Sequence, residues 1–195
     1  MKFFRVSLCF FLVMALIGCS SEKEKAKKVS SDTGRDEIEV TIPAVLLQHQ
    51  DVDAVIENAK SKGIKEVIKN DDGSLTYKMS KSVYNKMVKE LETTIKNMVS
   101  EAKKNLQSVK GITHNKNLSE FTFSVERKTY ENSMDALVIY TLGVVALNYQ
   151  LFKNENGGAE KAVSVSLKDE NTGEVFTVMD FPDVLKELNK HKNKQ

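Results

Sequence analysis

One stretch of this sequence, from Ala136 to Leu147, limits the folds open to the chain most, because it is apolar at every position except Thr141. We predict a helix from Asn132 to Phe152, and where a helix is apolar all round it must be covered on every side. The stretch of twelve residues is too short to span a bilayer, which takes about 20, and polar residues such as Asp135 flank it. We therefore predict a core helix, with burial against a partner subunit or insertion into a membrane as the alternatives.

Alternating apolar and polar residues predict strands with one buried face. The alternation is clear from Ile38 to Ile42, from Leu75 to Met79 and from Phe121 to Val125. Two hairpins are predicted, each across a turn-forming sequence, Asn70–Gly73 in the first and Asp169–Gly173 in the second. Because most of the predicted strands alternate, we expect helices on one face of a mainly antiparallel sheet of about five or six strands, which is an α+β fold.

A long helix is predicted from Ser80, as its N-cap, to near Gly111. Its apolar residues recur at steps of three and four and so form one stripe. Lysines dominate its other faces, and they include Lys81, Lys86, Lys89, Lys96, Lys103 and Lys104. We expect the apolar helix to lie between this helix and the sheet. Gly143 in its middle is expected to mark a close crossing of another backbone, since glycine costs about 1 kcal/mol against alanine inside a helix.

The first residues of the chain have the pattern of an export signal. Lys2 and Arg5 form a short basic region, and Val6–Ile17 is a nearly all-apolar run of twelve residues. That length suits the hydrophobic part of a signal peptide. Once Lys2 and Arg5 are removed with the signal, the 29 basic residues fall by two and equal the 27 acidic residues. The net charge of +2 therefore reflects export rather than a preference for an acidic partner.

The end of this segment resembles the lipobox of bacterial lipoproteins, in which a peptidase cuts just before a cysteine. Leu16–Gly18 precede Cys19, and two serines follow it. The resemblance implies that Cys19 carries a thioether-linked diacylglycerol, with palmitate-type acyl chains, and becomes the mature N-terminus. Because two acyl chains hold a protein far more firmly than one, we predict a lipid anchor at the outer face of the cell membrane. An ordinary secretory signal or a signal anchor is the alternative.

The chain divides into four predicted parts. Residues 1–18 are the lipoprotein signal peptide. Residues 19–37 contain the lipidated cysteine and a flexible tether of Lys, Glu, Ser and Asp, which has too few apolar residues to fold. Residues 38–188 form a single α+β domain, and residues 189–195 are a lysine-rich tail. The only cysteine left after cleavage is Cys19, so no intramolecular disulfide is expected.

The sequence contains no catalytic motif of the types G-x-S-x-G, H-E-x-x-H or Walker loop. None of the histidines, His49, His114 and His191, has another His or a Cys at ligand spacing. A metal site at His49 and Asp51 is conceivable, but capping acids at a helix start are favoured. Two carboxylate pairs lie in or beside predicted turns, Asp169/Glu170 and Asp180/Asp183. We therefore predict no catalytic, cofactor-binding or metal-binding residue, and do not expect an enzyme.

Several stretches together resemble a group of small uncharacterised surface lipoproteins of Gram-positive bacteria. They are Glu39–Ala44, Asp72–Lys81, Tyr130–Ala136 with Asn148–Phe152, and Thr172–Phe176 with Phe181–Leu185. The resemblance covers residues 38–188 and implies an anchored extracytoplasmic α+β domain. It brings no catalytic residue with it.

These features lead us to expect a lipid-anchored extracytoplasmic protein that binds another envelope component or protein. Its expected partners are the membrane, through diacylglyceryl-Cys19, and a protein or an anionic envelope polymer. Nucleic acid is not expected, because no aromatic residues interleave the lysines of the long helix, and no cofactor is expected. The alternatives are a lipoprotein that binds a small solute or metal, and a hydrolase that acts on the envelope.

Overall fold

The structure is a computed structural model that describes residues 37–48, 50–153 and 162–192, with the backbone alone for residues 188–192. The predicted signal peptide, Cys19 and the tether up to residue 36 lie outside the described residues, as does His49. The elements follow one another as β1 (Glu37–Ile42), α1 (Ala44–Leu47), α2 (Val52–Ser61), β2 (Glu66–Lys69), β3 (Leu75–Ser80), α3 (Lys81–Asn105), β4 (Val109–His114), β5 (Glu120–Val125), α4 (Arg127–Glu131), α5 (Asp135–Lys153), β6 (Val163–Asp169), β7 (Val175–Phe181) and α6 (Asp183–Lys192).

The chain has an α+β fold whose strands form two separate sheets. The first has the order β1-β3-β2 and the second β4-β5-β6-β7. All pairs are antiparallel except β5 with β6. The prediction of an α+β fold with mainly antiparallel strands is confirmed. The prediction of one sheet of five or six strands is wrong, because β3 is already paired on both sides when α3 leads the chain away to start the second sheet.

Both predicted hairpins are confirmed, and local hydrogen bonds explain them. In the turn between β2 and β3, the Asp72 carboxylate accepts a hydrogen bond from the Ser74 N–H at 2.9 Å, and Gly73 has φ +79°. In the turn between β6 and β7, Asp169 accepts from the Asn171 N–H at 2.8 Å, and Gly173 has φ +76°. Short acidic side chains and a glycine with positive φ are the residues that such turns need.

The long helix begins as predicted and ends earlier than predicted. The Ser80 side chain accepts from the Val83 N–H at 3.3 Å, so Ser80 is the N-cap. The helix ends at Asn105, whereas Gly111 lies inside β4, a strand that we did not predict. Leu106 continues the apolar spacing of α3, but its backbone is already extended. The second long helix likewise begins at Asp135 rather than Asn132, because the short α4 ends just before it.

Helix α5 lies in the core, as its sequence predicts. It contacts α3 and strands of both sheets. Its buried residues are Ile139, Leu142, Gly143, Ala146, Leu147, Tyr149, Gln150, Leu151 and Phe152. Among the described residues, α5 is the one helix long and apolar enough to cross a membrane, and half of that stretch is buried inside the fold. The expectation of a backbone crossing at Gly143 is wrong, since the ring of Phe181 packs there instead.

Candidate functional site

The four-stranded sheet has one face that packs against α5 and one face that is partly exposed. Side chains that alternate along β5 and β6, such as Phe123 and Leu167, are fully buried on the inner side. The residues between them point to the other side and are exposed or half-buried. We call this other side the open face.

The strand register arranges the open face in three rows that cross the strands. The middle row consists of Thr113, Thr122, Ser166 and Val178. The acidic end row consists of Glu120, Ser164 and Asp180. The lysine end row consists of Gly111, Ser124, Lys168 and Val175. With strands about 4.8 Å apart and rows about 7 Å apart, the face measures about 14 Å in each direction.

Short side chains make the open face flat and mostly uncharged. Hydroxyl residues dominate its centre, and Val175 and Val178 are 47% and 52% exposed at its β7 edge. The charged residues within its rows are Glu120, Lys168 and Asp180, and the exposed Lys110 lies in the bulge of β4 beside Gly111, at the end of the lysine end row. None of these four residues has an ion-pair partner within 4 Å in the part of the chain that the structure describes. The described residues therefore leave the few charges of this face uncompensated.

The outer face of the three-stranded sheet provides an internal comparison, and it is charged and self-compensated. Lys78 lies between Glu39 and Glu66, with Nζ 3.4 Å and 3.7 Å from their carboxylate oxygens. Lys65 donates to Glu37 at 2.6 Å, and this hydrogen bond holds the pKa of Glu37 below its usual value. Such a face is suited to contact with water. The open face differs from it, because its side chains are short and mostly uncharged.

The lysines of α3 form the second candidate surface, which the sequence singled out. All six are exposed. Three of them form ion pairs within the helix itself, in which Lys86 meets Glu90, Lys96 meets Glu92, and Lys104 meets Glu101. The hydrogen bond from Lys96 lowers the pKa of Glu92. The helix thus neutralises part of the positive charge that a polyanion would need.

A third surface lies at the start of α5, where apolar side chains are exposed. Met134 is 72% exposed, Leu137 57% and Val138 38%. They fall at steps of three and four and so share one side of the chain as it enters the helix. The patch has three residues and stands at one end of the domain beside Asp135, so it is smaller than the open face.

The structure does not bring the other sequence-predicted candidates together. His114 is exposed, and its ring lies 5.9 Å from that of Phe121. Asp169 serves the β6–β7 turn, and Asp183 forms an ion pair with Lys186 at 2.8 Å. No group of three or more His, Cys, Asp or Glu side chains within the described ranges is arranged to hold a metal ion.

Sequence reasoning missed the open face, although a signal for it was present. In β5 and β6 the residues between the buried apolar ones are Thr122 and Ser124, and Ser164 and Ser166. The outer face of the three-stranded sheet carries charged residues at Glu39, Lys78 and Glu66 beside the threonine pair Thr41 and Thr76, whereas β5 and β6 have short residues at these positions. Which strands stand side by side depends on long-range pairing, so the rows could not be assembled from the sequence.

Comparison with known proteins identifies no relative of this chain: no protein-family model, no curated protein and no solved structure matches it. The resemblance to Gram-positive surface lipoproteins therefore stays a prediction.

Proposed function

We propose that this chain is a lipid-anchored extracytoplasmic binding protein, without catalytic activity, that docks a protein partner through the open face. The anchoring part rests on the lipobox-like sequence at Leu16–Cys19 and the polar tether after it. The docking part rests on the contrast between the open face and the outer face of the three-stranded sheet.

That contrast is the observation that carries the proposal. The outer face of the three-stranded sheet compensates its charges internally, through Lys78 and Lys65. The open face has short hydroxyl and valine side chains, and its charges lack partners in the described part of the chain. Flat faces of this kind allow close approach of another protein, with few side chains to immobilise on binding.

A protein partner fits the open face better than a polymer does. An anionic polymer needs clustered cations, and the two lysines of this face, Lys110 on β4 and Lys168 on β6, are separated by the intervening strand β5. A carbohydrate is bound mainly by stacking on aromatic rings, and none of the three rows contains an aromatic residue.

Site-specific photo-crosslinking on intact cells tests the docking part. A photoreactive residue at Ser166, in the centre of the open face, is expected to give a defined adduct that mass spectrometry identifies. The same residue at Glu39, on the outer face of the three-stranded sheet, is the matched control and should give none. Equal adducts at both positions, or none at Ser166, would contradict docking at this face.

Processing of the N-terminus tests the anchoring part independently. The substitution Cys19→Ala should block both lipidation and cleavage before residue 19, so the protein should accumulate as the longer, uncleaved precursor. Acyl-chain labelling, which is expected for the unsubstituted protein, should be absent from Cys19→Ala. A Cys19→Ala protein that is cleaved like the original, or an unsubstituted protein that takes up no acyl label, would contradict the lipid anchor.

A further inference from the structure

We propose that the partner of the open face is a second copy of this chain, and that two copies associate face to face. The inference rests on the proposed function, since it names the partner of the docking face described above. Its basis is the position of the three charged residues within the rows.

The charges are separated along the strands. Glu120 and Asp180 both lie in the acidic end row, on either side of Ser164. Lys168 lies in the lysine end row on the same strand as Ser164, four residues further along. At about 3.3 Å per residue, Lys168 lies about 13 Å along the strand from Ser164, the residue between the two acids. One end of the face is therefore negative and the other positive.

A two-fold axis can bring these ends together. Consider two facing sheets with a two-fold axis between them that runs perpendicular to the strands. Each strand then faces the same strand of the other copy, and each acidic end row faces the other copy's lysine end row. This arrangement places Lys168 of one copy over Ser164 of the other, between that copy's Glu120 and Asp180. The same contact repeats at the other end, as a two-fold interface requires. Both copies of Lys168 and all four carboxylates then have partners.

The charges also favour this axis over a two-fold axis that runs parallel to the strands. An axis parallel to the strands would face acidic row against acidic row and would bring the two copies of Lys168 to neighbouring strands. Like charges at such distances repel, and they are left without the solvent that would screen them. The perpendicular axis is therefore the one that we infer.

The side chains of the middle row suit this packing. Sheets that stack face to face lie about 10 Å apart and fill the space with interdigitating side chains. Thr122, Ser166 and Val178 are short or β-branched, so they fill such a space without long side chains that must first be desolvated.

The size of the face predicts a weak, concentration-dependent dimer. Stable complexes use about 20–30 residues on each side, and the three rows contain roughly half of the lower number. Two domains tethered to the same membrane meet at a much higher effective concentration than in solution. Association is therefore expected to matter most for anchored chains.

Sedimentation velocity of the mature chain from residue 19, with Cys19→Ser to leave it unlipidated, provides the test. The chain should show a monomer–dimer equilibrium that shifts with concentration. Lys168→Glu should weaken association by at least tenfold, and so should Glu120→Lys combined with Asp180→Lys. A mixture of these two variants should form a heterodimer, because both ends of the interface are then complementary again.

Controls separate this result from loss of folding. Lys89→Glu reverses an exposed charge on α3 and should leave the dimer unchanged. Each variant should keep the thermal unfolding transition of the original chain. A chain that is monomeric at every concentration, or a mixture of variants that stays monomeric, overturns self-association. If photo-crosslinking at Ser166 still yields a specific adduct in that case, docking at the open face stands with a different partner, and if it yields none both proposals fail.

Discussion

Gly143 of α5 lies directly against the ring of Phe181 of β7, so closely that a Cβ atom on residue 143 would overlap Cε2 and Cζ of the ring. Phe181 is fully buried, and its ring centroid also lies 5.5 Å from that of Tyr140. Tyr140 and Gly143 are three residues apart on α5, so the ring packs against one face of this helix. The glycine allows the edge strand of the second sheet to pack on the core helix.

Gly143→Ala should therefore destabilise the fold, although alanine is the better helix former. Helix propensity alone favours alanine by about 1 kcal/mol, whereas overpacking in a core typically costs about 1–3 kcal/mol. We expect overlap with a buried ring to exceed the gain and to lower the free energy of unfolding in urea by about 1–2 kcal/mol. Gly111→Ala is the control, because its Cβ would lie 3.8 Å from Ser124 Cβ, an ordinary contact. A Gly143→Ala protein as stable as the original would contradict this packing.

The fold could be predicted wherever the signal was local. Both hairpins depend on turn residues such as Asp72 and Gly73, and the start of α3 on the cap at Ser80, so all three were predicted correctly. The end of α3 could not be predicted, because Leu106 fits the helical stripe. The strand that follows, β4, pairs with β5 across a short turn, but a bulge between Val109 and Gly111 interrupts its alternation of buried and exposed residues.

Asp135 links the start of α5 to the chain just before β4. Its Oδ2 atom accepts hydrogen bonds from the Ser108 N–H at 3.2 Å and the Ser108 hydroxyl at 2.6 Å, and Ser108 is completely buried. Asp135→Ala leaves two buried donors without an acceptor, so we expect a loss of about 1–3 kcal/mol in the free energy of unfolding.

Asp53→Ala is the matched control for this prediction. Asp53 also lies in the first turn of a helix, where its negative charge interacts favourably with the helix dipole. Its side-chain partner, however, is the exposed Lys69 at 2.9 Å. An ion pair that is fully exposed to solvent contributes little to stability, so thermal unfolding should shift much less. Equal shifts for the two variants would mean that the Ser108 contact adds nothing to stability.

Tyr77 should make the fold sensitive to alkaline pH. Burial in the core raises the pKa of its phenol above the usual value of 10.0. In the unfolded chain the phenol ionises near pH 10, so the folded state binds the proton more tightly there. Stability should be complete below pH 10 and should fall as the pH rises from about 10 through the raised pKa.

Urea unfolding at a series of pH values between 8 and 11 measures this effect. Tyr77→Phe should show a smaller alkaline loss of stability than the original chain. It should not abolish the loss, because burial also raises the pKa of Tyr130 and of Tyr140. Parallel pH profiles for the two proteins would show that Tyr77 ionises equally easily in both states.

The candidate site was less predictable than the fold for a physical reason. The lysines of α3 are obvious in the sequence. Whether their charges are available to a partner depends on ion pairs with acids one turn away, such as the pair of Lys86 with Glu90. The open face depends on β5 and β6 lying parallel and adjacent, although α4 and α5 separate them in the chain. Charges such as Glu120 and Lys168 become parts of one surface only after that pairing.

Gln150 should be essential for the turn between β4 and β5. Its side-chain amide donates to the carbonyl oxygens of Asn117 at 2.6 Å and Leu118 at 3.1 Å, just beyond the apolar stretch of α5. Leu118 is buried and has φ +55°, a conformation that is unfavourable for leucine. The two hydrogen bonds thus fasten a strained turn to the core helix.

Gln150→Met keeps the length of the side chain and removes its donors, so we expect a loss of about 1–3 kcal/mol as two carbonyls lose their partner. Gln150→Glu should be worse at neutral pH, since a carboxylate faces the same carbonyls. Its folded-state pKa should be raised above the ordinary glutamate value of about 4.3, so its stability should recover as the pH falls from that raised pKa towards 4.3. Asn148→Ala is the control, because that amide bonds the carbonyl of Val144 within its own helix at 3.0 Å. Hydrogen exchange of the Ser119 amide in the turn should accelerate in Gln150→Met and not in Asn148→Ala, and equal exchange in both would show that the turn holds without the contact.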